Sequence, residues 1–556
     1  TALPQLVPLL KDSDAGVRIN AVSALGSIGA EAKTALPQLI PLLKDSDGKV
    51  RSLTAWALGR IGAEAKTAVP QLIPLLKDSD IDVRGNAASA LGSIGAEAKT
   101  ALPQLVPLLK DSKASAVRVV TAEALKKIGA KAKATVPQLV PLLKDSDVDV
   151  RIFAASALGS IGAEAKTALP QLIPLLKDSD AGVRWSAAYA LGSIGAEAKA
   201  TVPQLVPLLK DSDVLVRSFT ASALGSIGTE AKTALPQLIP LLKDSDAGVR
   251  SFAAEALGKI CAEAETLEAL WRSGAEAKTA LSQLVPLLKD SDADVRSSAA
   301  FALGDIGAKA KTALPQLIPL LEDSDSRVRS NAARALGSIG AETETVVSLL
   351  IPLLEDSDSG VRWNAAFALG DIGAKAKTAV PQLVSLLKDS EDEFFVRNTA
   401  AWALRDIGAE AKTALPQLVI LLKDSDKSLH FGVIRALNRI GLSLQEKANT
   451  LTSLELERAV SSLESALQIL AEPEANFSQE ADPNLSYQFL NDIKQSTIAN
   501  LPTYINALKA EQSNRLFIES LLTNPYLWVI YLFLLFDPFG ILPLLRRKTY
   551  ETLKPK

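Results

Sequence analysis

The residues best suited to catalysis or metal binding are scarce in this chain. Its 556 residues include one histidine, His430, and one cysteine, Cys261. A zinc site or a cysteine–histidine dyad needs several such side chains brought together. No phosphate-binding motif of the form G-x-x-x-x-G-K-[ST] occurs either. The sequence therefore predicts no catalytic residue, no metal site and no cofactor.

Aspartate is abundant, but its placement indicates a structural role. The segment KDSD recurs about once every 33 residues, as at Asp12 and Asp14. One carboxylate pair per copy, spread along the whole chain, is typical of helix caps rather than of an acid–base site. The 60 basic and 63 acidic residues nearly balance, which disfavours a general nucleic-acid binder. The single cysteine excludes an internal disulfide framework and favours a cytoplasmic location.

The recurring segments form a long internal repeat. The proline of TALPQL returns at intervals of 33 residues in most copies, and thirteen copies fit into residues 1–441. One interval lengthens to 46 residues near 265–277, where ETLEALWRSGAEA is inserted. Each copy is too short to bury an apolar face alone, so the copies must stack.

Each copy is predicted to fold as two helices. In the first copy, Pro4 opens ALPQLVPLLK, and Pro8 lies deep enough to kink or shorten that helix. Asp14 is a suitable cap for AGVRINAVSALGSIG, and Gly29 should end this second helix. These features predict an all-α fold.

The pattern L-x-D-x-D-x-x-V-R-x-x-A-x-x-A-L-G-x-I-G resembles the HEAT repeat, in the short form first associated with phycobilisome (bilin) lyases of cyanobacteria. This resemblance implies a right-handed α-solenoid of about thirteen two-helix repeats, with the second helices on the concave side. It also implies an Asp–Arg ladder that stitches adjacent repeats. The matching residues are Asp12 with Arg18, Asp45 with Arg51, Asp78 with Arg84, Asp178 with Arg184, and later pairs as far as Asp389 with Arg397.

The second helix varies mainly at a few positions opposite its apolar stripe. We number them as slots from the ladder arginine, so that slots +1, +2, +5 and +9 of the first repeat are Ile19, Asn20, Ser23 and Ser27. Large aromatic residues occupy slots +1 and +5 in several repeats: Trp56, Trp185, Tyr189, Phe301, Trp363, Phe367 and Trp402.

Slots +1 and +5 are neighbours on a helix surface, so Trp185 with Tyr189, and Trp363 with Phe367, should form paired platforms. Aromatic anchors on one side of a rigid array are typical of protein-binding surfaces. We therefore predict a non-enzymatic scaffold that binds a protein partner on the concave face. The alternative is that the rings pack on adjacent repeats, and their exposure separates the two interpretations.

Two other functions stay open. The resemblance to bilin lyases allows an accessory or lyase-type subunit in bilin attachment or removal, with a tetrapyrrole as its ligand. The chain begins inside a repeated phrase, so we also expect a fragment of a larger multidomain bacterial protein. The array would then be a sensor or oligomerisation arm of a signalling protein.

The repeat pattern stops near Gly441. Residues 442–523 are predicted to be helical with a polar linker near 473–484, and an apolar tail follows at 524–556. Residues 526–545 are long enough to span a bilayer, but Asp537 and two prolines interrupt them. Both membrane contact through this segment and a buried helix fit the pattern.

Overall fold

The structure, a computed structural model, describes residues 3–110, 115–128, 135–262, 275–340, 344–388, 394–423, 429–471 and 487–523. The regular structure in these ranges is entirely helical, as predicted. The chain divides into two compact parts, Thr1–Gln316 and Leu317–Lys556. Within the described ranges, no helix combines the length and the apolar character needed to cross a bilayer. Several predicted features lie outside them: most of the insertion near 265–277, Asp389, the linker near 473–484 and the tail 524–556.

The second helix of each repeat is the longer one, and we number these helices by repeat. They are α1 (Ala15–Ile28), α2 (Gly48–Ile61), α3 (Ile81–Ile94), α4 (Ser115–Ile128), α5 (Val148–Ile161), α6 (Ala181–Ile194), α7 (Val214–Ile227), α8 (Ala247–Cys261), α9 (Ala293–Ile306), α10 (Ser326–Ser338), α11 (Ser359–Ile372), α12 (Phe394–Ile407) and α13 (His430–Glu446). Two further helices follow, α14 (Ser453–Ala471) and α15 (Tyr487–Thr523).

The first helix is short, and in several repeats it ends just before the second proline. In repeat 2 the α-helix covers Leu36–Leu39 and gives way to a 3-10 turn at Ile40–Lys44, which contains Pro41. Repeat 12 has Ser385 in place of this proline, and its first helix runs without interruption through Val380–Lys388. The predicted shortening therefore holds in repeats built like repeat 2, whereas Pro74 and Pro174 lie inside seven-residue helices. The first helices are Leu3–Leu9, Leu36–Leu39, Val69–Leu75, Leu102–Leu105, Val136–Leu139, Leu169–Leu175, Val202–Leu205, Leu235–Leu238, Ala275–Leu284, Leu314–Leu317, Glu344–Leu350, Val380–Lys388 and Leu415–Leu421.

The predicted caps are present at both ends of the second helix. At α1 the carboxylate of Asp14 accepts a hydrogen bond of 2.6 Å from the backbone N–H of Gly16. At the other end Gly29 has φ 71° and ψ −137°, a conformation that residues with a side chain rarely adopt. Local sequence therefore fixes where α1 begins and ends.

Close contact between consecutive second helices builds the core. Helices α1 to α9 pack in series within the first compact part, and α10 to α13 do so within the second. Gly92 of α3 faces Ala124 of α4 so closely that a Cβ atom on Gly92 would lie 2.7 Å from the Cα atom of Ala124. The glycine of ALG therefore sets the distance between neighbouring second helices.

An Asp–Arg ladder joins consecutive repeats along much of the described chain. The guanidinium of Arg184 donates two hydrogen bonds, of 2.8 and 2.9 Å, to the carboxylate of Asp211 in the following repeat. Its Nη1 donates to the backbone carbonyl of Asp178 at 2.9 Å. One arginine thus ties its own turn to its neighbour's turn.

The predicted ladder pairs are wrong by one repeat: the carboxylate that each of these arginines binds belongs to the following repeat. Within a repeat, the arginine reaches the backbone carbonyl of the aspartate, because the guanidinium can satisfy that carbonyl and still point two N–H groups at the next repeat. This holds for Arg18 on Asp12, Arg51 on Asp45, Arg84 on Asp78 and Arg184 on Asp178. The carboxylate rungs are Arg18–Asp45, Arg51–Asp78, Arg151–Asp178, Arg184–Asp211, Arg217–Asp244, Arg250–Asp290 and Arg329–Asp356.

The insertion leaves this ladder in register. Arg250 and Asp290 are 40 residues apart in sequence, against 27 for Arg217 and Asp244, yet their hydrogen bonds measure 2.9 and 2.8 Å. Helices α8 and α9, which flank the insertion, pack on each other like other neighbours. The extra residues are therefore accommodated without separating the two repeats.

The last repeat is covered by the C-terminal helices. Helix α13 continues to Glu446, past the predicted repeat end, and Gly441 lies inside it. Tyr504 of α15 packs against Gly441, and its hydroxyl donates to Asn438 Oδ1 at 3.2 Å. Helix α15 thus shields the end of the second compact part from water.

We expect Gly92→Ala to destabilise the chain by about 1–3 kcal/mol, because the added methyl group overlaps the backbone of Ala124. The control is Gly85→Ala in the same helix, where the new Cβ would lie 3.8 Å from its nearest neighbour. This control should gain about 0.5–1 kcal/mol from helix propensity. Urea unfolding of both variants checks the prediction, and equal effects would contradict it.

We expect Arg184→Ala to destabilise the chain by about 1–2 kcal/mol, since it removes two charge-assisted hydrogen bonds that are only partly open to water. The control is Lys199→Ala, which removes an exposed ion pair with Glu230, so it should cost less than about 0.5 kcal/mol. Urea unfolding at neutral pH measures both.

The same variant tests the acid sensitivity of the ladder. The hydrogen bond from Arg184 holds the pKa of Asp211 below its ordinary value of 3.8, against the opposing effect of burial. A carboxyl with a lowered folded-state pKa stabilises the fold above its unfolded pKa and loses that contribution as the pH falls through the folded value. The wild type should therefore lose more stability than Arg184→Ala between about pH 4 and pH 2. Parallel pH profiles would contradict this.

Candidate partner-binding surface

The variable slots lie on the edges of the second helices, where neighbouring repeats meet. Slot +2 of one repeat contacts slot +1 of the preceding repeat: Asn86 Nδ2 donates to Ser52 Oγ at 2.8 Å. Asn364 Nδ2 donates to Ser330 Oγ at 2.6 Å in the same way. The frame therefore makes these two slots a pair that spans the joint between repeats.

Aromatic residues fill this pair of slots between repeats 6 and 7, and two further rings adjoin them. Trp185 stacks on Phe219 of the next repeat, with ring centroids 5.0 Å apart and planes 26° apart. Tyr189 meets Phe219 edge-on at 6.2 Å, and Phe219 stacks on Phe252 at 6.2 Å. All four rings are half-buried. We call these residues the aromatic cluster.

The aromatic cluster changes the prediction for Trp185 and Tyr189. Both rings contact Phe219 in the next repeat, so that this pair is organised by packing between repeats. Sequence reasoning gave no binding role to Phe219 or Phe252, although both occupy slot +2. The sequence does carry a signal for them, since phenylalanine recurs at slot +2 in Phe153, Phe219 and Phe252.

Trp56 and Tyr189, both in slot +5, lean back onto the preceding repeat. The ring of Trp56 covers Gly26, where an added Cβ atom would lie 2.3 Å from the indole. Tyr189 covers Gly159 in the same way, at 2.7 Å. Each ring replaces the side chain that the glycine lacks, so these two residues also contribute to stacking.

Trp363 and Phe367 of α11 form the predicted platform. Their ring centroids are 6.0 Å apart with planes tilted by 32°. Trp363 is 38% exposed and Phe367 is 37% exposed. These two rings contact each other and still present more than a third of their surface to water.

The remaining predicted anchors are less open. Phe301 and Trp402 are half-buried. The indole Nε1 of Trp402 is enclosed and has no hydrogen-bond acceptor within the described chain. The structure therefore divides the seven predicted residues into one exposed pair and five half-buried rings.

A carboxylate lies beside this surface in the late repeats. Burial raises the pKa of Asp371, the negative charge of Asp406 raises it further, and Arg334 opposes both. Asp371 and Asp406 share slot +9 of consecutive repeats. Slot +9 therefore brings like charges together along the second compact part.

The two residues with catalytic potential are buried. Burial raises the pKa of the Cys261 thiol to about 11, which keeps it protonated and weakly nucleophilic. His430 is buried in the first turn of α13. Within the described ranges, no three residues of the His, Cys, Asp and Glu types form a group able to hold a metal ion.

Comparison with family models decides the classification. A model described as HEAT repeats matches residues 36–126, 102–168, 136–203, 202–280, 281–358 and 347–438, and a HEAT repeat model matches residues 2–31. The chain belongs to the HEAT-repeat family. These models describe HEAT repeats in general and do not single out the bilin-lyase type.

Solved structures share the fold of this HEAT-repeat chain. Kap121p, a karyopherin bound to the extreme C-terminus of the protein phosphatase Cdc14p, matches with a TM-score of 0.53 and 15% identity over 94% of this chain and 70% of that chain. Kap121p bound to Nup53p gives 0.53 and 16% over 94% and 69%. Bound to Pho4p it gives 0.53 and 15% over 95% and 70%. A comparison with curated proteins finds no match.

Replacement of the central ring of the aromatic cluster should destabilise repeats 6 to 8. We expect Phe219→Ala to cost about 1–2 kcal/mol more than Phe153→Ala, since each ring contact adds to simple burial. Phe153 has the same slot and the same half-burial, and it makes no ring contact among the described residues. Hydrogen exchange of the amides in 181–261 measures the difference. Equal protection in both variants would show that the ring contacts add nothing.

Proposed function

We propose that this chain is a non-enzymatic scaffold that binds a protein partner along the variable slots of its second helices. The resemblance to the HEAT repeat implies that this face is concave. Trp363 and Phe367 serve as the main anchors, and Trp56, Trp185, Tyr189, Phe301 and Trp402 contribute around them.

The observation that carries the proposal is the exposure of Trp363 and Phe367. Both rings keep more than a third of their surface in water, and they stand side by side on a second helix. Paired aromatic side chains with low rotamer entropy are the residues that contribute most to protein interfaces. A partner that covered them would gain from the apolar area removed from water.

The aromatic cluster shows how rings that pack between repeats differ from rings that are exposed to water. Trp185 and Tyr189 occupy the same two slots in repeat 6, but Phe219 of the next repeat covers them. The position that would cover Trp363 is slot +2 of repeat 12, which holds Thr399; its hydroxyl donates to the backbone carbonyl of Phe395, and it offers no ring. Packing explains the rings of repeat 6 and leaves those of repeat 11 without a comparable structural role.

The structural relatives support a binding role by analogy. Kap121p has been crystallised with Nup53p, with Pho4p and with the C-terminus of Cdc14p. An array of this fold can therefore bind several different proteins. At about 15% identity these structures share only the fold with this chain, and its anchor residues are chosen by their exposure.

The other predicted functions stay predictions. No described residue favours a tetrapyrrole ligand in bilin chemistry, and a role as the arm of a signalling protein depends on further domains. Membrane contact through residues 526–545 concerns a segment outside the described residues. A tetrapyrrole absorbance band in the purified protein would support the function in bilin chemistry.

The test is selection of peptides from a random display library on immobilised full-length protein. Wild type should enrich peptides with aromatic or large apolar residues. Trp363→Ser combined with Phe367→Ser should weaken the enriched peptides at least 10-fold, as expected for the loss of an interface hot spot. Because both rings are partly exposed, the melting temperature should fall by only a few degrees.

The control is Ile19→Ser, which changes slot +1 in repeat 1 and should leave peptide affinity unchanged. Unchanged affinity in the double variant would contradict the proposal. Collapse of the cooperative unfolding transition in the double variant would do so as well, because it would assign the two rings to packing.

A further inference from the structure

A second surface in the last repeat carries positive charge in a groove. Helices α12, α13 and α15 enclose a cavity of about 420 Å³. Its lining residues are Arg405, Arg435, Asn438, Arg439, Leu442, Ile493 and Ser496. We call it the arginine groove, and all of it lies within the second compact part.

Most of the charge in the arginine groove is uncompensated. Arg405 forms an ion pair with Asp406, with two contacts of 2.8 Å. Arg435 lies over the ring of Phe431, 5.4 Å from its centroid, and neither it nor Arg439 forms an ion pair with a carboxylate among the described residues. Three arginines and no carboxylate therefore line the groove, and Asp406 adjoins it.

The environment of Arg435 favours an added anion. Burial lowers the pKa of Arg435, and the nearby positive charge of Arg405 lowers it further, against Asp406. Asn438 uses its Oδ1 atom to accept from Tyr504, which leaves its amide nitrogen as a donor. A carboxylate in the groove would relieve the repulsion between like charges and accept hydrogen bonds from these groups.

We propose that the arginine groove binds an acidic peptide segment, with glutamate or aspartate carboxylates held by Arg435 and Arg439. This inference rests on the proposed scaffold function and specifies the chemistry of the partner at one end of its site. Arg435 and Arg439 occupy slots +5 and +9 of repeat 13, if His430 is counted as the ladder position. The groove therefore continues the slots that hold Phe367 and Asp371 in repeat 11.

A peptide fits the groove better than a nucleic acid does. Nucleic-acid binding depends on an extended basic surface that neutralises many phosphates. Here the basic patch is limited to three arginines, and exposed Asp406 adjoins it. The walls formed by Leu442 and Ile493 suit a peptide that alternates acidic and apolar side chains.

The test uses a fluorescein-labelled peptide of alternating glutamate and leucine, titrated with the full-length protein by fluorescence anisotropy. Arg435→Gln combined with Arg439→Gln should weaken binding at least 10-fold. Arg439→Gln alone should weaken it about threefold or more, and this exposed residue can be changed without disturbing the core. Raising the salt from 50 to 300 mM should also weaken binding, as charge screening requires.

The control Lys309→Gln with Lys311→Gln removes the same two charges from exposed positions elsewhere and should bind like wild type. Equal loss in this control would overturn the proposal, as would equal binding of a peptide with glutamine in place of glutamate. Tighter binding of a 20-residue thymidine oligonucleotide would overturn it in favour of a nucleic-acid site.

Binding of the acidic peptide can be measured independently of the aromatic anchors Trp363 and Phe367. Trp363→Ser with Phe367→Ser should retain the affinity for the acidic peptide, because neither ring lines the arginine groove. Loss of acidic binding only in the arginine variants supports the groove even if the aromatic platform binds nothing. Absence of acidic-peptide binding in wild type would overturn the groove and leave the proposal for the platform standing.

Discussion

The stacking of the repeats depends above all on one recurring side chain, the ladder arginine of the second helix. Its guanidinium satisfies a backbone carbonyl in its own turn and the carboxylate of the next repeat at the same time. The aspartate that receives it also accepts the N–H two residues on, as Asp211 does from Asp213. The same aspartate carboxylate thus closes its own turn and binds the arginine of the preceding repeat. Each such rung fixes how the two repeats meet.

This fixed spacing turns variable residues into pairs. Once Gly92 and Ala124 hold neighbouring helices in contact, slot +2 of each repeat must face slot +1 of the one before. Where these slots hold serine and asparagine, the two side chains form a hydrogen bond. Where they hold Trp185 and Phe219, the two rings stack. A ring in slot +1 stays exposed to water where slot +2 of the next repeat, or slot +5 of its own repeat, does not cover it. Trp363 is such a ring.

Much of the fold could be predicted from the sequence because its determinants are local. The cap at Asp14, the end at Gly29 and the break at the second proline each act within one helical turn, and the repeat copies them. Ladder partners and ring contacts depend on residues about 30 positions away. The repeat pattern is equally compatible with an arginine that binds the aspartate carboxylate of its own repeat and one that binds that of the next repeat. For that reason Arg18 was predicted to pair with the carboxylate of Asp12 and instead pairs with that of Asp45. The arginine groove was missed because α15, which closes it, lies outside the repeat pattern.

The rung between Arg250 and Asp290 has a wider consequence. Thirteen additional residues separate these two side chains in sequence, yet the hydrogen bonds between them, of 2.9 and 2.8 Å, match the 2.9 Å bond between Arg217 and Asp244. The length of the connection at this joint therefore does not set how the two repeats meet. An engineer could splice a foreign domain into such a connection, and the rung beside it should hold the neighbouring repeats together.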